Sequence, residues 1–240
     1  GSGQSCTVSE GVFDLDGQAF TCGGDFVVQS GGTLRMIGNE TPTTPTLDTG
    51  SIVSFKGDGD AAPDTFTITG FGTSFKNLSI ENSSIGGTDT FVLGAGITVA
   101  GNLTISSGIL DVGNSEYPIV VSGNWTNDAS FTHRNGTVTF IGTGQSLSGT
   151  TVFYNFTKNI ISADTLVFPG DASKFQTFEG LLNLKGASSN LLTLQSSVHE
   201  TQTRINPSGT TDLEYLALHD INNIGTEISV AGLNITDLGN

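Results

Sequence analysis

The chain has 240 residues, only 13% of them charged, and its 23 acidic against 8 basic residues give a net charge of −15. An acidic surface repels nucleic acid and anionic lipid, so we expect neither nucleic-acid binding nor direct membrane insertion. Low charge without Pro-rich or low-complexity runs also argues against an intrinsically disordered chain.

The N terminus contains both cysteines. Residues 1–3, Gly-Ser-Gly, are typical of a cloning scar, and residues 4–240 are predicted to form one domain. Cys6 and Cys22 lack the spacing of a metal-binding motif, so we predict a disulfide that closes the first turn, with two buried free thiols as the alternative. A disulfide indicates an oxidising environment, outside the cell or at its surface.

Two polar segments interrupt the strand pattern that follows. Residues 39–50 contain two of the six prolines and no apolar alternation, which predicts a protruding loop. Asn39 begins an N-x-S/T sequon there and is a predicted glycosylation site. Residues 57–64 form the second predicted loop. Because packing fixes the walls of a repeat protein, we expect contacts with partners to come from these loops.

The second loop contains three closely spaced aspartates, Asp58, Asp60 and Asp64. Calcium prefers several oxygen ligands on a flexible loop, so we predict a calcium ion as cofactor at these side chains. The segment lacks the glutamate that closes an EF-hand loop, and a solvated turn without an ion is the alternative. A second candidate group near the N terminus comprises Asp14, Asp16 and Asp25.

From residue 75 onward one short pattern recurs, in which asparagine or another polar residue precedes a large apolar residue. The copies are about 26 residues apart on average, and their apolar/polar alternation favours strands over helices. Irregular repeats of this length built from strands are typical of a β-solenoid, in which each copy forms one turn. We therefore predict an all-β chain that forms a single parallel β-helix of about nine turns. The large apolar residues are predicted to stack in one interior column, a core ladder of Leu78, Leu103, Trp125, Phe156, Leu182 and Leu216.

Sequons are frequent in the chain, and several coincide with the repeat itself. Asparagine at a corner tolerates a left-handed backbone and hydrogen-bonds to nearby backbone groups, and asparagines stack between turns. We therefore interpret most sequons as structural. They begin at Asn39, Asn77, Asn82, Asn102, Asn124, Asn135, Asn155 and Asn234.

Candidate catalytic groups are few in this sequence. Basic residues are scattered, and the nucleophile elbow, the phosphate-binding loop and the zinc-binding histidine pair are absent as motifs. His133 and Arg134 beside Asp128 form the one compact polar group, which we interpret as a solvated corner between strands. We therefore predict no catalytic residue and no enzyme.

Residues 120–240 resemble the β-helical repeat segments of very large bacterial surface proteins of the filamentous-haemagglutinin and autotransporter type. The resemblance is carried by GNWTN at 123–127, NGTVTF at 135–140, FYNFT at 153–157 and EYLALHD at 214–220. It implies a right-handed parallel β-helix, export from the cell, and a role in adhesion or as a stalk. It brings no catalytic motif, so it assigns no functional residue.

Three functions remain as hypotheses. The first is a non-enzymatic extracellular module, a structural stalk or adhesin segment whose partners are other cell-surface or matrix components, glycans, or neighbouring copies of itself. The second is a carbohydrate-active β-helix enzyme, a polysaccharide lyase or hydrolase, which needs two or three acidic or basic side chains converging on one face of adjacent turns. The third is a self-assembling extracellular filament subunit, which needs bare apolar ends.

Overall fold

A computed structural model of the chain describes residues 3–68, 72–83, 88–229 and 232–239. Every regular element in these residues is a short β-strand and none is a helix, because glycine, asparagine and β-branched residues interrupt each run that could become helical. The predicted fold class is confirmed: the chain is an all-β parallel β-solenoid, with about ten turns rather than nine. No helix long and apolar enough to cross a membrane occurs in the described part of the chain.

The chain divides into two compact units. The first comprises Gly1–Tyr117 and Ala129–Thr132, and the second comprises Pro118–Asp128 and His133–Asn240. Equilibrium unfolding tests the prediction of a single domain, which requires the two units to unfold in one transition.

The first thirteen strands lie in the first unit and are two to five residues long. They are β1 (Cys6–Val8), β2 (Gly11–Asp14), β3 (Phe26–Val28), β4 (Gly32–Met36), β5 (Thr46–Leu47), β6 (Ile52–Phe55), β7 (Thr65–Ile68), β8 (Ser74–Phe75), β9 (Asn77–Glu81), β10 (Thr90–Leu93), β11 (Ile97–Val99), β12 (Leu103–Ser107) and β13 (Ile109–Asp111).

The remaining strands lie in the second unit, except for β16, which belongs to the first. They are β14 (Ile119–Val121), β15 (Trp125–Asn127), β16 (Ser130–Thr132), β17 (Thr137–Phe140), β18 (Gln145–Gly149), β19 (Thr151–Phe153), β20 (Asn155–Asn159), β21 (Asp164–Phe168), β22 (Gln176–Phe178), β23 (Leu181–Lys185), β24 (Leu192–Ser196), β25 (Thr203–Pro207), β26 (Thr210–Glu214), β27 (Leu216–His219), β28 (Ile221–Asn223) and β29 (Thr236–Asp237).

One wall of the first unit is built from β2, β4, β6, β9 and β12, paired in register. Leu34 pairs with Val53, Val53 with Leu78, and Leu78 with Leu103. All four side chains are at most 1% exposed. Because successive side chains of a strand point to opposite faces, this register gives the wall a buried inner column and an outer ladder of polar residues.

In the second unit the predicted single column is wrong. Trp125 pairs with Leu147, whereas Phe156 pairs with Val138 and Leu182 in a different sheet. The same polar–apolar–polar pattern occurs on each wall, because every wall needs a large inward residue between two outward ones. Matching copies of the pattern therefore does not identify the wall. All six residues of the predicted core ladder are nevertheless buried, including Leu216, which is 1% exposed.

Aromatic rings fill the core where these walls meet. The Trp125 ring centroid lies 5.3 Å from that of Phe153, which lies 5.0 Å from Phe156. The indole Nε1–H donates a hydrogen bond to Thr151 Oγ1 at 3.0 Å, so the one polar atom of the buried ring has a partner.

The predicted disulfide between Cys6 and Cys22 is confirmed, with 6.0 Å between the two Cα atoms. It joins β1 to the segment that precedes β3, near the N-terminal end of the chain. In the chain-entropy description a loop of this length stabilises the fold by about 3 kcal/mol.

The segment of residues 39–50 is not the free loop that we predict. Its strand β5 pairs with β3, and Glu40 is only 8% exposed. The Glu40 carboxylate accepts the backbone N–H groups of Gly17, Ile37 and Gly38, each at 2.9 Å. Burial is tolerated because these charge-assisted hydrogen bonds replace hydration. Asn39 is exposed, and its glycosylation stays a prediction.

Several sequon asparagines form hydrogen bonds with the backbone of a neighbouring turn. The Asn77 amide donates to the backbone oxygen of Ser51, and its Oδ1 accepts the N–H of Asn102, both at 2.9 Å. Asn155 Oδ1 likewise accepts a backbone N–H from the following turn. These bonds support the structural interpretation of the repeat asparagines.

Candidate functional site

Three aspartates meet beside the loop of residues 57–64. Carboxylate oxygens of Asp58, Asp64 and Asp89 all lie within 4.8 Å of one another, and we call this group the aspartate cluster. Asp58 is exposed, Asp64 is half-buried, and Asp89 is fully buried. Asp89 comes from the next turn, and its Oδ1 accepts the backbone N–H of Asp64 at 3.1 Å.

The structure corrects one member of the predicted calcium site. Asp60 lies outside the cluster. Its Oδ1 accepts the N–H of Ala62 at 2.7 Å and stabilises the tight turn. Its place is taken by Asp89, which stands before β10 as Asp64 stands before β7. Thr65 pairs with Thr90, so the two aspartates occupy equivalent positions on successive turns. That equivalence is the sequence signal that would have identified Asp89.

The cluster is electrostatically unfavourable without a cation. Desolvation, followed by the negative charges of Asp58, Asp60 and Asp89, raises the pKa of Asp64 above its ordinary value of 3.8. Gly57 has φ +72°, and a Cβ at this position would lie 1.9 Å from Asp89 Oδ2. The backbone thus approaches the buried carboxylate as closely as glycine allows. Three carboxylates are a donor set that suits Ca²⁺, and the predicted calcium ion stays a prediction.

The second predicted acidic group is not a metal centre in the described residues. Lys56 Nζ lies 3.1 Å from Asp14 Oδ2 and 2.7 Å from Asp16 Oδ1, so an ammonium group balances these carboxylates. Desolvation lowers the pKa of Lys56, but its hydrogen bonds to Asp16 and Asp14 outweigh this and leave that pKa raised. Asp25 is exposed and does not join them in a metal-binding group.

Charged side chains from adjacent turns converge on the outer face of the wall of β2, β4, β6 and β9. Arg35 Nε donates to Glu81 Oε1 at 2.9 Å, and Arg35 Nη1 lies 3.9 Å from Asp14 Oδ2. Ser54 Oγ donates to the same oxygen of Glu81. Asp14 links this group to Lys56, so each cation lies between two carboxylates. We call the side chains of Asp14, Asp16, Arg35, Lys56 and Glu81 the charged ladder.

A groove of about 370 Å³ lies along this outer face, lined by residues of β4, β6, β9 and β12 and by Asn102, which precedes β12. Arg35 pairs with Ser54, Ser54 with Ser79, and Ser79 with Thr104, so the lining repeats from turn to turn. Arg35 and Glu81 supply its charges, and hydroxyl and amide groups supply most of the rest. Arg35 and Glu81, which are far apart in the sequence, meet here because the register of the intervening strands brings them together.

The second unit buries a complete ion pair. Lys158 has 0% side-chain exposure, and its Nζ lies 2.7 Å from Asp164 Oδ2. The ammonium also donates to the backbone oxygen of Gly142 at 2.8 Å and to Gln145 Oε1 at 3.0 Å. Desolvation raises the pKa of Asp164, but hydrogen bonds from Lys158 and from backbone N–H groups outweigh it and leave this pKa lowered. The sequence gives no sign that this lysine is internal.

The predicted polar group at the corner near His133 is divided between separate partners. His133 Nε2 lies 3.4 Å from Glu179 Oε2, and its ring stacks on Tyr154. Asp128 instead lies 3.8 Å from Lys174. His133 and Asp128 are thus paired with different partners.

No family model matches the chain, and neither does any curated protein or any solved structure. The resemblance to β-helical surface proteins therefore stands on the repeat pattern, with which the parallel β-solenoid is compatible.

Proposed function

We propose that the chain is a non-enzymatic module of an extracellular or cell-surface protein, a stalk or adhesin segment that binds glycans in the groove of its first unit. The groove is the observation that carries this proposal, so the proposed contact lies on a wall and not on the loops of residues 39–50 and 57–64 expected from the sequence. Strands in a sheet are about 4.8 Å apart, so its in-register hydroxyl and amide groups repeat at that interval. A polysaccharide offers hydroxyl groups that also repeat along its length and can exchange hydrogen bonds with such a lining.

The charge of the groove favours a neutral glycan. Arg35 and Lys56 each lie between two carboxylates, so the charged ladder is largely neutralised within itself. The net charge of −15 repels polyanions such as uronic-acid polymers and nucleic acids. The disulfide supports export, because such bonds persist in oxidising environments.

A glycan array tests the proposal, with Thr104→Trp and Thr98→Trp as a matched pair of variants. Thr104 lines the groove, whereas Thr98 is an exposed residue of β11 outside it. We expect the wild type and Thr98→Trp to bind the same neutral glycans and Thr104→Trp to lose them. Equal binding by all three proteins would place the contact elsewhere, and no binding by the wild type would remove the adhesive part of the proposal.

A carbohydrate-active enzyme is the second candidate, and a specific observation favours it. The charged ladder is a convergence of acidic and basic groups on adjacent turns, which such an enzyme requires. Against it, Lys56 Nζ lies between the carboxylates of Asp14 and Asp16, which favour its ammonium form, and an ammonium group cannot act as a base. A new product from a bound polysaccharide, absent with Glu81→Gln, would support the enzyme.

The filament alternative requires bare apolar ends. An apolar cavity of about 150 Å³ lies within the last turns of the second unit, and its lining includes Ile228 and Ile235. Leu213 and Leu218 line the same cavity. A chain that remains monomeric by light scattering over a range of concentrations would exclude this alternative.

A further inference from the structure

Two histidines meet on successive turns of the second unit. His199 follows β24, His219 ends β27, and the centroids of their rings are 5.6 Å apart. The strands β24 and β27 pair in parallel, with Gln195 opposite His219. Register, not a short sequence motif, therefore brings the imidazoles together, which is why a motif search finds no histidine pair.

A carboxylate stands beside the Nδ1 atom of each ring. Asp220 Oδ2 lies 3.0 Å from His219 Nδ1, and Glu200 Oε1 lies 3.8 Å from His199 Nδ1. A neutral imidazole that donates its Nδ1–H to a carboxylate keeps its lone pair on Nε2. Carboxylates orient metal-binding histidines in the same manner and raise their basicity.

Asp220 has the features of a group that positions its neighbour. Its side chain has 0% exposure, and its Oδ2 also accepts the N–H of Glu200 at 3.0 Å. Its Oδ1 is buried with no hydrogen-bond partner among the described residues. An under-compensated buried carboxylate is costly, and positive charge on the adjacent imidazole reduces that cost. A metal ion bound at Nε2 of His219 supplies such charge.

We propose that His199 and His219 bind one divalent transition-metal ion through their Nε2 atoms, with Asp220 as the positioning residue. Neutral imidazole suits Zn²⁺ and Cu²⁺, whereas Ca²⁺ prefers oxygen ligands, so this ion differs in kind from the one predicted at the aspartate cluster. The His199 side chain is 75% exposed and can rotate toward its partner, and that of His219 is 30% exposed. Water completes the coordination shell at this open surface site.

Zinc titration of the full chain by calorimetry tests the site, in an excess of Ca²⁺ that saturates the aspartate cluster. We expect one Zn²⁺ per chain and no detectable binding after His199→Gln or His219→Gln. Asp220→Asn should weaken binding about 10–100-fold, the usual effect of removing such a carboxylate. His133→Gln is the matched control and should bind zinc as the wild type does, because this histidine pairs with Glu179 instead.

Nitrogen-15 NMR of the imidazoles separates coordination from a merely structural role. In the metal-free protein His219 should be the Nδ1–H tautomer, and Zn²⁺ should shift the Nε2 resonances of both His199 and His219. Thermal unfolding of each variant checks that it folds. Wild-type zinc affinity in folded His199→Gln, zinc shifts at Nδ1, or absence of zinc binding by the wild type would each overturn the proposal.

Discussion

In the first unit the carboxylates of Asp58, Asp64 and Asp89 face one another, whereas in the second unit Asp164 faces the ammonium group of Lys158. Both sites arise in the same manner, since a parallel solenoid brings side chains of successive turns together. Their electrostatics are opposite: the pKa of Asp64 is raised and that of Asp164 is lowered. The ion pair is complete within the fold, whereas no cationic side chain is among the groups that define the aspartate cluster.

Removing the cation of the buried pair should have the largest effect. Lys158→Met leaves Asp164 buried without its partner, and we expect a loss of about 3–5 kcal/mol in the free energy of unfolding, measured by urea titration. The double variant Lys158→Met/Asp164→Leu should recover much of this loss, because no charge is then left unpaired.

The matched control for this prediction is Lys174→Met. Lys174 lies 3.8 Å from Asp128 at the surface, and the side chains are 42% and 55% exposed. An exposed pair of this kind contributes about 0–1 kcal/mol, so this variant should unfold close to the wild type. Equal losses for Lys158→Met and Lys174→Met would contradict the contrast between a buried pair and a solvated one.

Calcium should stabilise the aspartate cluster by a smaller amount. A ligand that binds only the folded state adds about 2.7 kcal/mol when its free concentration is 100 times its dissociation constant. We expect Ca²⁺ to raise the melting temperature of the wild type. In chelator, Asp64→Asn should melt higher than the wild type, because it removes like-charge repulsion, and Ca²⁺ should then have little effect on it.

Asp60→Asn tests the corrected membership of the cluster. Because the Asp60 carboxylate accepts the N–H of Ala62 and is not part of the cluster, the calcium response of this variant should match that of the wild type. A lost calcium response in Asp60→Asn would contradict this membership and restore Asp60 as a predicted ligand.

The smallest expected effects are the pH dependences, which should have opposite signs. The folded-state pKa of Asp164 lies below the ordinary value of 3.8. Its contribution to the stability of the fold is therefore complete above pH 3.8 and is lost as the pH falls through the folded-state pKa. The folded-state pKa of Asp64 lies above 3.8, so its contribution is complete below that value and is lost as the pH rises through the folded pKa. Denaturant unfolding between about pH 2 and pH 7 measures how the free energy of unfolding changes with pH. The loss of stability at low pH should be absent from Asp164→Asn, and the loss of stability at higher pH should be absent from Asp64→Asn.

The fold could be predicted from the sequence because it depends on local alternation. Leu78 and Leu103 illustrate this, since both are inward residues in equivalent copies of the repeat, and they pair as neighbours. Trp125 and Phe156 occur in the same pattern yet lie on different walls, because pairing depends on the length of each turn. Paired residues are as few as 18 positions apart, as for Thr137 and Asn155, and as many as 29, as for Gln176 and Ile205.

The variable number of residues in each turn also explains what could not be predicted about the candidate sites. Asp58 and Asp64 are close in the sequence and were identifiable, whereas Asp89 joins them from one turn further on. The contact of Arg35 with Glu81 likewise depends on the register of the intervening strands. Residue types and loop composition therefore indicated where a cation fits, but not which turns supply its ligands.

Whether the groove binds glycans without cleaving them is tested most directly by one measurement. A polysaccharide that the wild type binds is incubated with the protein, and new reducing ends and unsaturated sugar products are quantified over time. We predict retention of the polymer on the protein with no increase in either product. Products that accumulate with the wild type and not with Glu81→Gln would contradict a non-enzymatic module and identify the charged ladder as an active site.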